Sequence, residues 1–331
     1  MPKPPVLVTR QILPEALELI TEATDAEVWP GEYPPSPEKL RQLLAGKAGA
    51  LINIMDRLDG PAMAAAPSLK VISQLGVGVD HIDLAEATRR GILVGNTPGV
   101  LAKCTADLAF ALLLCAARRV SEADRWVRNQ EWQLAFHPLG WLGVDVHNST
   151  LGIIGMGEIG REMVRRARGF DMKVVYFSRT RRPEVEDQYG IEYADLSTLL
   201  GTSDFVSLHF PLTPETRHFI GEAELRLMQP TSVLINTARG GVVDSKALYT
   251  ALKERRIYGA GLDVTDPEPI PTDDPLLTLD NIVITPHVGS AALPTRRETM
   301  FLAIRNLMAG LKGERLEACA NPELYPILGI G

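Results

Sequence analysis

Three glycines in the segment TLGIIGMGEIGREMVRRARGF constrain the fold of this chain more than any other feature. Gly155, Gly157 and Gly160 follow an apolar strand pattern and open an amphipathic helical pattern. In a strand–turn–helix unit the first glycine permits the tight turn, the second lets a pyrophosphate approach the backbone, and the third lets the helix pack against the strand. The helix N-terminus would offer its N–H groups to the phosphates. The segment therefore predicts a dinucleotide-binding α/β domain.

Strand and helix patterns alternate on both sides of a long helical segment. They alternate over the first hundred residues, beginning with a strand at 5–10 and a helix at 14–23, and again from Thr150 to about residue 290. The strands are continuously apolar, which is typical of parallel sheets covered by helices on both faces. One helical pattern, 105–129, separates the two alternations, and another, 293–313, follows the second. A chain of 331 residues is long enough for two domains, so we predict two parallel-sheet α/β domains.

The composition excludes several classes of protein. Hydrophobic residues make up 45% and charged residues 23%, the balance of a globular rather than a disordered chain. The formal net charge of −7 gives no general attraction to nucleic acid or to anionic membranes, and no apolar run approaches the roughly 20 residues that span a bilayer. Three cysteines without paired spacing argue against a disulfide framework, and the histidines have no metal-ligand spacing. We expect a cytoplasmic protein without a metal, a nucleic-acid partner or a membrane anchor.

The residues after the second strand of the dinucleotide-binding segment indicate which dinucleotide binds. NAD enzymes usually carry Asp or Glu there, about 20 residues beyond the glycines, to bind the ribose 2′-hydroxyl. This chain has Ser178, Arg179 and Thr180 instead. Hydroxyls and a guanidinium suit a 2′-phosphate, and no carboxylate repels it. We therefore predict NADPH as the preferred cofactor, with NAD as the alternative, and interpret Arg181 and Arg182 as solvated loop charges.

Glu158 is an unexpected residue inside the glycine loop. A carboxylate at this position would face the charge of a pyrophosphate. Either it points to solvent, or Arg161 or Arg165 offsets its charge. The residues alone do not decide between these alternatives.

Three ionisable residues follow strand patterns in the second half of the chain: Arg239 after SVLINTA, Glu268 after GAGLDV, and His287 after NIVIT. Because ligands of open parallel sheets bind at the carboxyl ends of the strands, these side chains can converge on one crevice. Arginine can hold a carboxylate, histidine can donate a proton near neutral pH, and a glutamate bonded to the imidazole would orient it and favour its charged form. Each residue alone has an ordinary explanation, such as packing or a surface ion pair. Together with a dinucleotide motif they favour hydride reduction of a 2-oxo acid.

Four segments together resemble the D-2-hydroxyacid dehydrogenase family, and within it the glyoxylate/hydroxypyruvate reductases most. They occur in the family's order and are GMGEIG (155–160), TARGGVVD (237–244), GLDVTDPEP (261–269) and TPHVGSA (285–291). The similarity extends over essentially the whole chain. It implies two doubly wound, Rossmann-like domains: a discontinuous substrate domain, 1–102 with 291–331, and an inserted dinucleotide-binding domain, 103–290.

The resemblance also implies roles for single residues. Arg239 would anchor the substrate, Glu268 would modulate the imidazole, and His287 would donate the proton. The loop QLGVGVD (74–80) matches a family segment whose backbone N–H groups, near Val77 and Gly78, bind the substrate carboxylate. Asp263 would lie near the nicotinamide amide, with Thr237 and Ala238 beside the ring. The complete set of expected cofactor contacts is Gly155, Gly157, Glu158, Ile159, Gly160, Ser178, Arg179, Thr180, Pro211, Thr237, Ala238, Asp263 and Gly289.

The resemblance further implies a homodimer in which the aromatic segment 130–150 reaches over the partner. Trp141 matches a tryptophan that enters the neighbouring active site in similar reductases, where it would contact the substrate. The alternative is that Trp132 and Trp141 fill the dimer core. Two positions depart from the family: Glu158, where arginine is frequent, and Asp107, where glutamate is usual.

The expected reaction is NADPH-dependent reduction of a small 2-oxo acid, glyoxylate to glycolate and hydroxypyruvate to D-glycerate. Two alternatives stay open: another 2-oxo acid such as 2-ketogluconate, and a non-catalytic protein that binds the dinucleotide as a sensor. Four residues after a strand of the first domain are expected to set the size and polarity of the substrate pocket. They are Asn53, Ile54, Met55 and Asp56.

Overall fold

The paired strands run parallel throughout residues 2–330, the part of the chain that this computed structural model describes. They form a five-stranded sheet in the order β2-β1-β3-β4-β5 and a seven-stranded sheet in the order β12-β11-β10-β9-β6-β7-β8. The strands are β1 Pro5–Val8, β2 Asp25–Val28, β3 Gly49–Ile52, β4 Val71–Gln74, β5 Leu93–Gly95, β6 Thr150–Ile154, β7 Lys173–Phe177, β8 Glu192–Tyr193, β9 Phe205–Leu208, β10 Val233–Asn236, β11 Gly259–Leu262 and β12 Ile282–Ile284. The predicted α/β class with two Rossmann-like parallel sheets is confirmed.

The helices follow the strands in the alternating order that the sequence predicts. They are α1 Pro14–Ala23, α2 Pro37–Leu44, α3 Gly60–Ala64, α4 Leu84–Arg89, α5 Ala102–Ala117, α6 Val120–Arg128, α7 Glu158–Ala167, α8 Pro183–Tyr189, α9 Leu196–Thr202, α10 Glu222–Leu227, α11 Ser245–Lys253, α12 Leu293–Lys312 and α13 Leu324–Leu328, with short 3-10 turns at Arg168–Phe170, Gly240–Val242 and Pro275–Thr278. Over residues 2–330, none of these helices combines the length and the apolar character that crossing a bilayer requires.

The chain divides into two compact units. Unit 1 comprises Met1–Leu101 and Ala291–Gly331, and unit 2 comprises Ala102–Ser290. In unit 1 the central strands β3 and β4 are buried at every residue, with one apolar cluster on each face of the sheet. The late helix α12 belongs to this unit because Gly310 lets it approach the sheet: a Cβ there would lie 2.6 Å from the side chain of Val71.

Unit 2 has a change of winding direction between β6 and β9. The chain runs from β6 outward through β7 to β8, and then continues with β9 on the other side of β6. Apolar clusters cover both faces of the sheet. Helix α5 packs closely on β11, where a Cβ on Gly261 would lie 2.9 Å from the Cβ of Leu112. In open parallel sheets this reversal creates the ligand crevice at the carboxyl ends of the strands.

The single helix predicted over 105–129 is wrong. Arg119 has a φ of 54° and separates α5 from α6. This left-handed conformation is unfavourable for a residue with a Cβ. A local ion pair with Glu122 at 2.7 Å accompanies it, and so does a tertiary contact in which the guanidinium lies 4.9 Å from the Trp141 ring centroid. A periodicity pattern contains no sign of such contacts.

Candidate active site

Three neighbouring strands of unit 2 carry the predicted catalytic residues at their carboxyl ends. β10, β11 and β12 are adjacent in the sheet, and the loops that follow them contain Arg239, Glu268 and His287 respectively. Parallel strands present all their carboxyl ends at one edge, so the order of the sheet brings these distant positions to the same side of unit 2.

Glu268 and His287 are in direct contact. Oε1 of Glu268 lies 2.5 Å from Nδ1 of His287, and each side chain is 31% exposed. The contact orients the imidazole and places a carboxylate beside its Nδ1. It also leaves Nε2 as the ring atom that can exchange a proton with a ligand.

The backbone of His287 has a φ of 52° and is held by Asp263. The N–H of His287 donates to the carbonyl oxygen of Asp263 at 2.9 Å. The carboxylate of Asp263 accepts hydrogen bonds from Thr285 Oγ1 at 2.6 Å, from Val288 N at 2.8 Å and from Gly289 N at 2.8 Å. Asp263 is 2% exposed, so its carboxylate serves the His287 loop. Sequence reasoning assigned Asp263 to the nicotinamide amide. It missed Thr285 as a partner of Asp263, although an acidic residue directly after a buried strand is the signal for such a brace.

A buried asparagine braces the loop that contains Arg239. The side chain of Asn236 donates to the carbonyl of Arg239 at 2.8 Å and accepts from Ala238 N at 3.0 Å. The guanidinium of Arg239 donates to the Ala238 carbonyl at 2.9 Å and is half-buried. Asn236 is 1% exposed and was not among the predicted site residues.

The three glycines of the glycine loop have the environments that a dinucleotide site requires. Gly155 has a φ of 97°, and a Cβ there would lie 2.4 Å from the carbonyl oxygen of His209. A Cβ on Gly157 would meet no atom within 4 Å, which leaves its surface open for a phosphate. A Cβ on Gly160 would lie 2.3 Å from the carbonyl oxygen of Gly155, so only glycine allows α7 to pack this closely.

The residues between these glycines take different positions. Glu158 is exposed in the first turn of α7, where a carboxylate stabilises the helix N-terminus. Ile159 packs against the apolar core of unit 2, so only its backbone N–H can face a phosphate.

The turn after β7 separates its arginines into different roles. Arg179 and Thr180 are exposed, while Ser178 Oγ donates to the carbonyl of Thr180 at 2.6 Å. Arg181 is 62% exposed, as the interpretation of a solvated charge expects, and it also forms an ion pair with Glu186 at 2.7 Å. That pair and the Tyr176 hydroxyl lower the pKa of Glu186 to about 2. The guanidinium of Arg181 is therefore already paired with a carboxylate of the protein.

The remaining predicted cofactor positions line the same edge of unit 2. Pro211 follows β9 and is exposed, and Gly289 lies against the Asp263 carboxylate. Thr237 is 7% exposed, and its buried Oγ1 has no hydrogen-bond partner among residues 2–330. An unsatisfied buried hydroxyl at this edge and the open surface at Gly157 fit a bound dinucleotide.

His209 is a further residue of this edge that sequence reasoning missed. It directly follows β9 beside the turn of the glycine loop, and although the residue is only partly buried, its ring Nδ1 is inaccessible to solvent. Burial lowers its pKa to about 3, and its Nε2 lies 2.8 Å from Ser207 Oγ. The imidazole is therefore neutral at physiological pH. Its position after a strand was a signal, but burial was not readable from the sequence.

In unit 1 the predicted carboxylate loop follows β4. Asn96 Nδ2 donates to the carbonyl of Val77 at 2.9 Å, and Thr97 N donates to the carbonyl of Gly76 at 3.0 Å. Within the described chain, the N–H groups of Val77 and Gly78 donate no hydrogen bond. Such a pinned loop with unused donors can bind an anion.

The aromatic segment after α6 exposes several large apolar side chains. Trp132 is 58% exposed, Phe136 76% and Leu139 78%. Trp141 instead packs on its own chain, with its ring 5.3 Å from that of Trp126. No group of three or more His, Cys, Asp or Glu residues within 2–330 is arranged to hold a metal ion.

Comparison with known proteins places the chain in a family. Residues 110–289 match the model described as D-isomer specific 2-hydroxyacid dehydrogenase, NAD binding domain. The chain is 50% identical over 326 residues to the glyoxylate reductase of Korarchaeum cryptofilum, covering 98% of each protein.

Two solved structures are similar over nearly their full length. The TT0316 protein of Thermus thermophilus is 44% identical with a TM-score of 0.90, covering 96% of this chain and 99% of that one. The NADPH-dependent glyoxylate/hydroxypyruvate reductase of Sinorhizobium meliloti, solved with NADP and malonate, is 32% identical with a TM-score of 0.84, covering 96% and 97%. This chain therefore belongs to the D-isomer specific 2-hydroxyacid dehydrogenases and is an oxidoreductase that uses a nicotinamide dinucleotide.

Proposed function

We propose that this enzyme reduces glyoxylate to glycolate and hydroxypyruvate to D-glycerate, with NADPH as its preferred reductant. The observation that carries the proposal is the Glu268–His287 pair at 2.5 Å, one strand away from the loop of Arg239. Relatives named as glyoxylate reductases support the choice of substrate.

The catalytic roles follow from the atoms that each residue leaves available. When bound, the nicotinamide cofactor supplies the hydride that reduces the 2-oxo carbon. Nε2 of His287 donates a proton to the carbonyl oxygen as negative charge develops there, and Glu268 stabilises the imidazolium that performs this step. The neutral imidazole then regains a proton from solvent. Arg239 holds the substrate carboxylate and carbonyl with its planar fork of donors.

The two units divide the binding tasks. We assign the substrate role to unit 1, whose Val77 and Gly78 N–H groups bind the substrate carboxylate. We assign the dinucleotide role to unit 2, which binds the pyrophosphate at Gly157 and at the N-terminus of α7. Thr237 and Ala238 line the nicotinamide, whose amide lies near Asp263 and Gly289, and Pro211 lines the remaining wall.

The preference for NADPH rests on the turn after β7. Arg179 is exposed and Arg181 is committed to Glu186, so Arg179 is the guanidinium that can meet a 2′-phosphate. The similar reductase of Sinorhizobium meliloti is NADPH-dependent by its description. NAD is the alternative cofactor.

We also propose a homodimer that works in the cytoplasm. Trp132, Phe136 and Leu139 are exposed large apolar side chains within one segment, of the kind that subunits cover. In the dimer this segment would carry Trp141 toward the substrate of the neighbouring subunit, which requires it to leave its contact with Trp126. The three free cysteines agree with a reducing compartment.

Steady-state kinetics test the proposal. NADPH and NADH oxidation are measured with glyoxylate, hydroxypyruvate and pyruvate over a range of concentrations. We expect the highest kcat/KM for the first two acids with NADPH. Faster turnover of pyruvate would contradict the substrate assignment, and equal kcat/KM with NADH would contradict the cofactor preference.

A further inference from the structure

A concave pocket on unit 1 has no role in the function proposed above. Its volume is about 440 Å³, within the range of small-molecule sites. Asn53, directly after β3, and Leu75, directly after β4, line it, so it lies beside the loop that begins at Gly76. The complete lining is Arg10, Gln11, Pro30, Gly31, Glu32, Asn53, Leu75, Arg296, Thr299 and Met300.

Two consecutive arginines at the start of α12 differ in their contacts. Arg297 is 51% exposed and binds Glu15 with two hydrogen bonds, at 2.7 and 3.0 Å. Arg296 lines the pocket and is half-buried, and within the described chain its guanidinium forms no hydrogen bond or ion pair. A partly buried guanidinium gains from a polar ligand that replaces the water it has lost.

At the back of the pocket, Arg10 forms an ion pair with Asp56. Arg10 Nη1 lies 3.1 Å from Asp56 Oδ1, and the Asp56 side chain is completely buried. Thr9 Oγ1 and Asn53 N donate to the other oxygen of Asp56, at 2.5 and 2.8 Å. Nη2 of Arg10 is buried and has no hydrogen-bond partner among residues 2–330. The pair cancels its own charge and offers one unused donor.

The outer wall carries the opposite charge to Arg296. Glu32 lies in a loop that is pinned by a hydrogen bond from Trp29 Nε1 to the Tyr33 carbonyl at 2.8 Å. The lining therefore combines donors with acceptors. A hydroxyl group both donates and accepts, so it matches such a lining, whereas a second anionic group would face the carboxylate of Glu32.

We propose that this pocket binds the hydroxylated end of 2-oxo acids longer than hydroxypyruvate, and that Arg296 and Glu32 determine how well such substrates compete. The inference rests on the proposed function and extends it to a substrate class. The 2-oxo acid group would bind at the Val77–Gly78 loop, and the hydroxyls would lie between Arg296 and Glu32. Glyoxylate has no atoms that reach these two residues.

The test compares kcat/KM for glyoxylate and for 2-ketogluconate, whose chain beyond the 2-oxo acid carries only hydroxyls. Arg296→Met and Glu32→Gln should each lower kcat/KM for 2-ketogluconate by roughly 10- to 100-fold, the value of a lost hydrogen bond to a charged group. Both should leave glyoxylate reduction within about twofold, because a lost hydroxyl contact cannot affect it. Arg297→Met is the matched control and should change kcat/KM for neither acid. Thermal unfolding confirms that each variant is folded.

The outcomes separate this inference from the function on which it rests. Wild-type enzyme that reduces glyoxylate but not 2-ketogluconate would overturn the inference alone. Enzyme that reduces neither acid would overturn the proposed function as well. If Glu32→Gln instead raises kcat/KM for 2-oxoglutarate, which ends in a second carboxylate, while 2-ketogluconate is unaffected, the pocket selects an anion and the inference is wrong.

Discussion

His287 and Asp263 are joined through backbone and side chain together. The N–H of His287 donates to the Asp263 carbonyl at 2.9 Å. The Asp263 carboxylate accepts hydrogen bonds from the next two backbone N–H groups, those of Val288 and Gly289, at 2.8 Å each. This arrangement holds His287 at a φ of 52°, which is rarely populated without glycine. Asp263 thus acts on the site by positioning the backbone of His287.

Replacing Asp263 with Asn should lower both stability and turnover. The amide can accept hydrogen bonds only through its oxygen, so at least one buried donor loses its partner, at a cost of about 1–3 kcal/mol in the free energy of unfolding. Urea denaturation measures the loss, and kcat should fall with it because the loop of His287 relaxes. Asp280→Asn, which removes an exposed pair with Arg255, is the control and should cost less than about 1 kcal/mol. Equal effects of both changes would contradict the positioning role.

Replacing His287 with Ala should reduce kcat by roughly 10²- to 10⁴-fold, because the lost proton donor acts on the chemical step. The dissociation constant of NADPH, measured by fluorescence titration, should stay within about threefold. His218→Ala supplies a control, because the backbone of His218 also has a positive φ but lies in a different loop. Near-normal kcat in the His287 variant would remove the assignment.

Arg179→Asp should weaken NADPH binding and spare NADH. The change removes a cation and adds a carboxylate, which repels the 2′-phosphate but can accept from a 2′-hydroxyl. We expect the ratio of kcat/KM for NADPH over NADH to fall by at least about 100-fold. Arg181→Gln tests the same turn, and because Arg181 pairs with Glu186 it should leave this ratio unchanged. An unaltered ratio in the Arg179 variant would mean that another group binds the phosphate.

Two glycines of the glycine loop should respond oppositely to alanine. A Cβ on Gly157 meets no protein atom within 4 Å, so Gly157→Ala should fold normally while its dinucleotide affinity falls about 10-fold or more. A Cβ on Gly160 meets the Gly155 carbonyl oxygen at 2.3 Å, so Gly160→Ala should destabilise the fold by about 1–3 kcal/mol. Thermal unfolding and NADPH titration of both variants separate the effects. A folding defect in Gly157→Ala would contradict an open phosphate surface.

His209 should make the protein less stable in acid. Its pKa is about 3 in the folded protein and about 6.5 when unfolded. Because the unfolded state binds the proton first, the stability from this group is complete above pH about 6.5 and falls by up to about 1.4 kcal/mol per pH unit as the pH drops toward 3. His209→Gln should therefore lose less free energy of unfolding between pH 7 and 5 than the wild type. Parallel losses in the two proteins would contradict a buried neutral imidazole.

Most of the local strands and helices follow from the amino-acid sequence alone. Continuous apolar strands have to be buried on both faces, and glycines at the spacing of Gly155, Gly157 and Gly160 are needed only where a strand turns directly into a helix. Both are properties of short segments, so periodicity and residue type reveal them. The positions of Arg239, Glu268 and His287 after strands were readable for the same reason.

Tertiary packing, by contrast, settled which side chains meet. The break at Arg119 beside Trp141, the inaccessible ring nitrogen of His209 and the brace from Asp263 to the His287 loop all depend on contacts between segments that are separated along the chain. Such contacts form once strands take their order in the sheet, and local propensity contains no information about that order. The adjacency of β10, β11 and β12, which brings Glu268 within 2.5 Å of His287, is therefore a result of the fold.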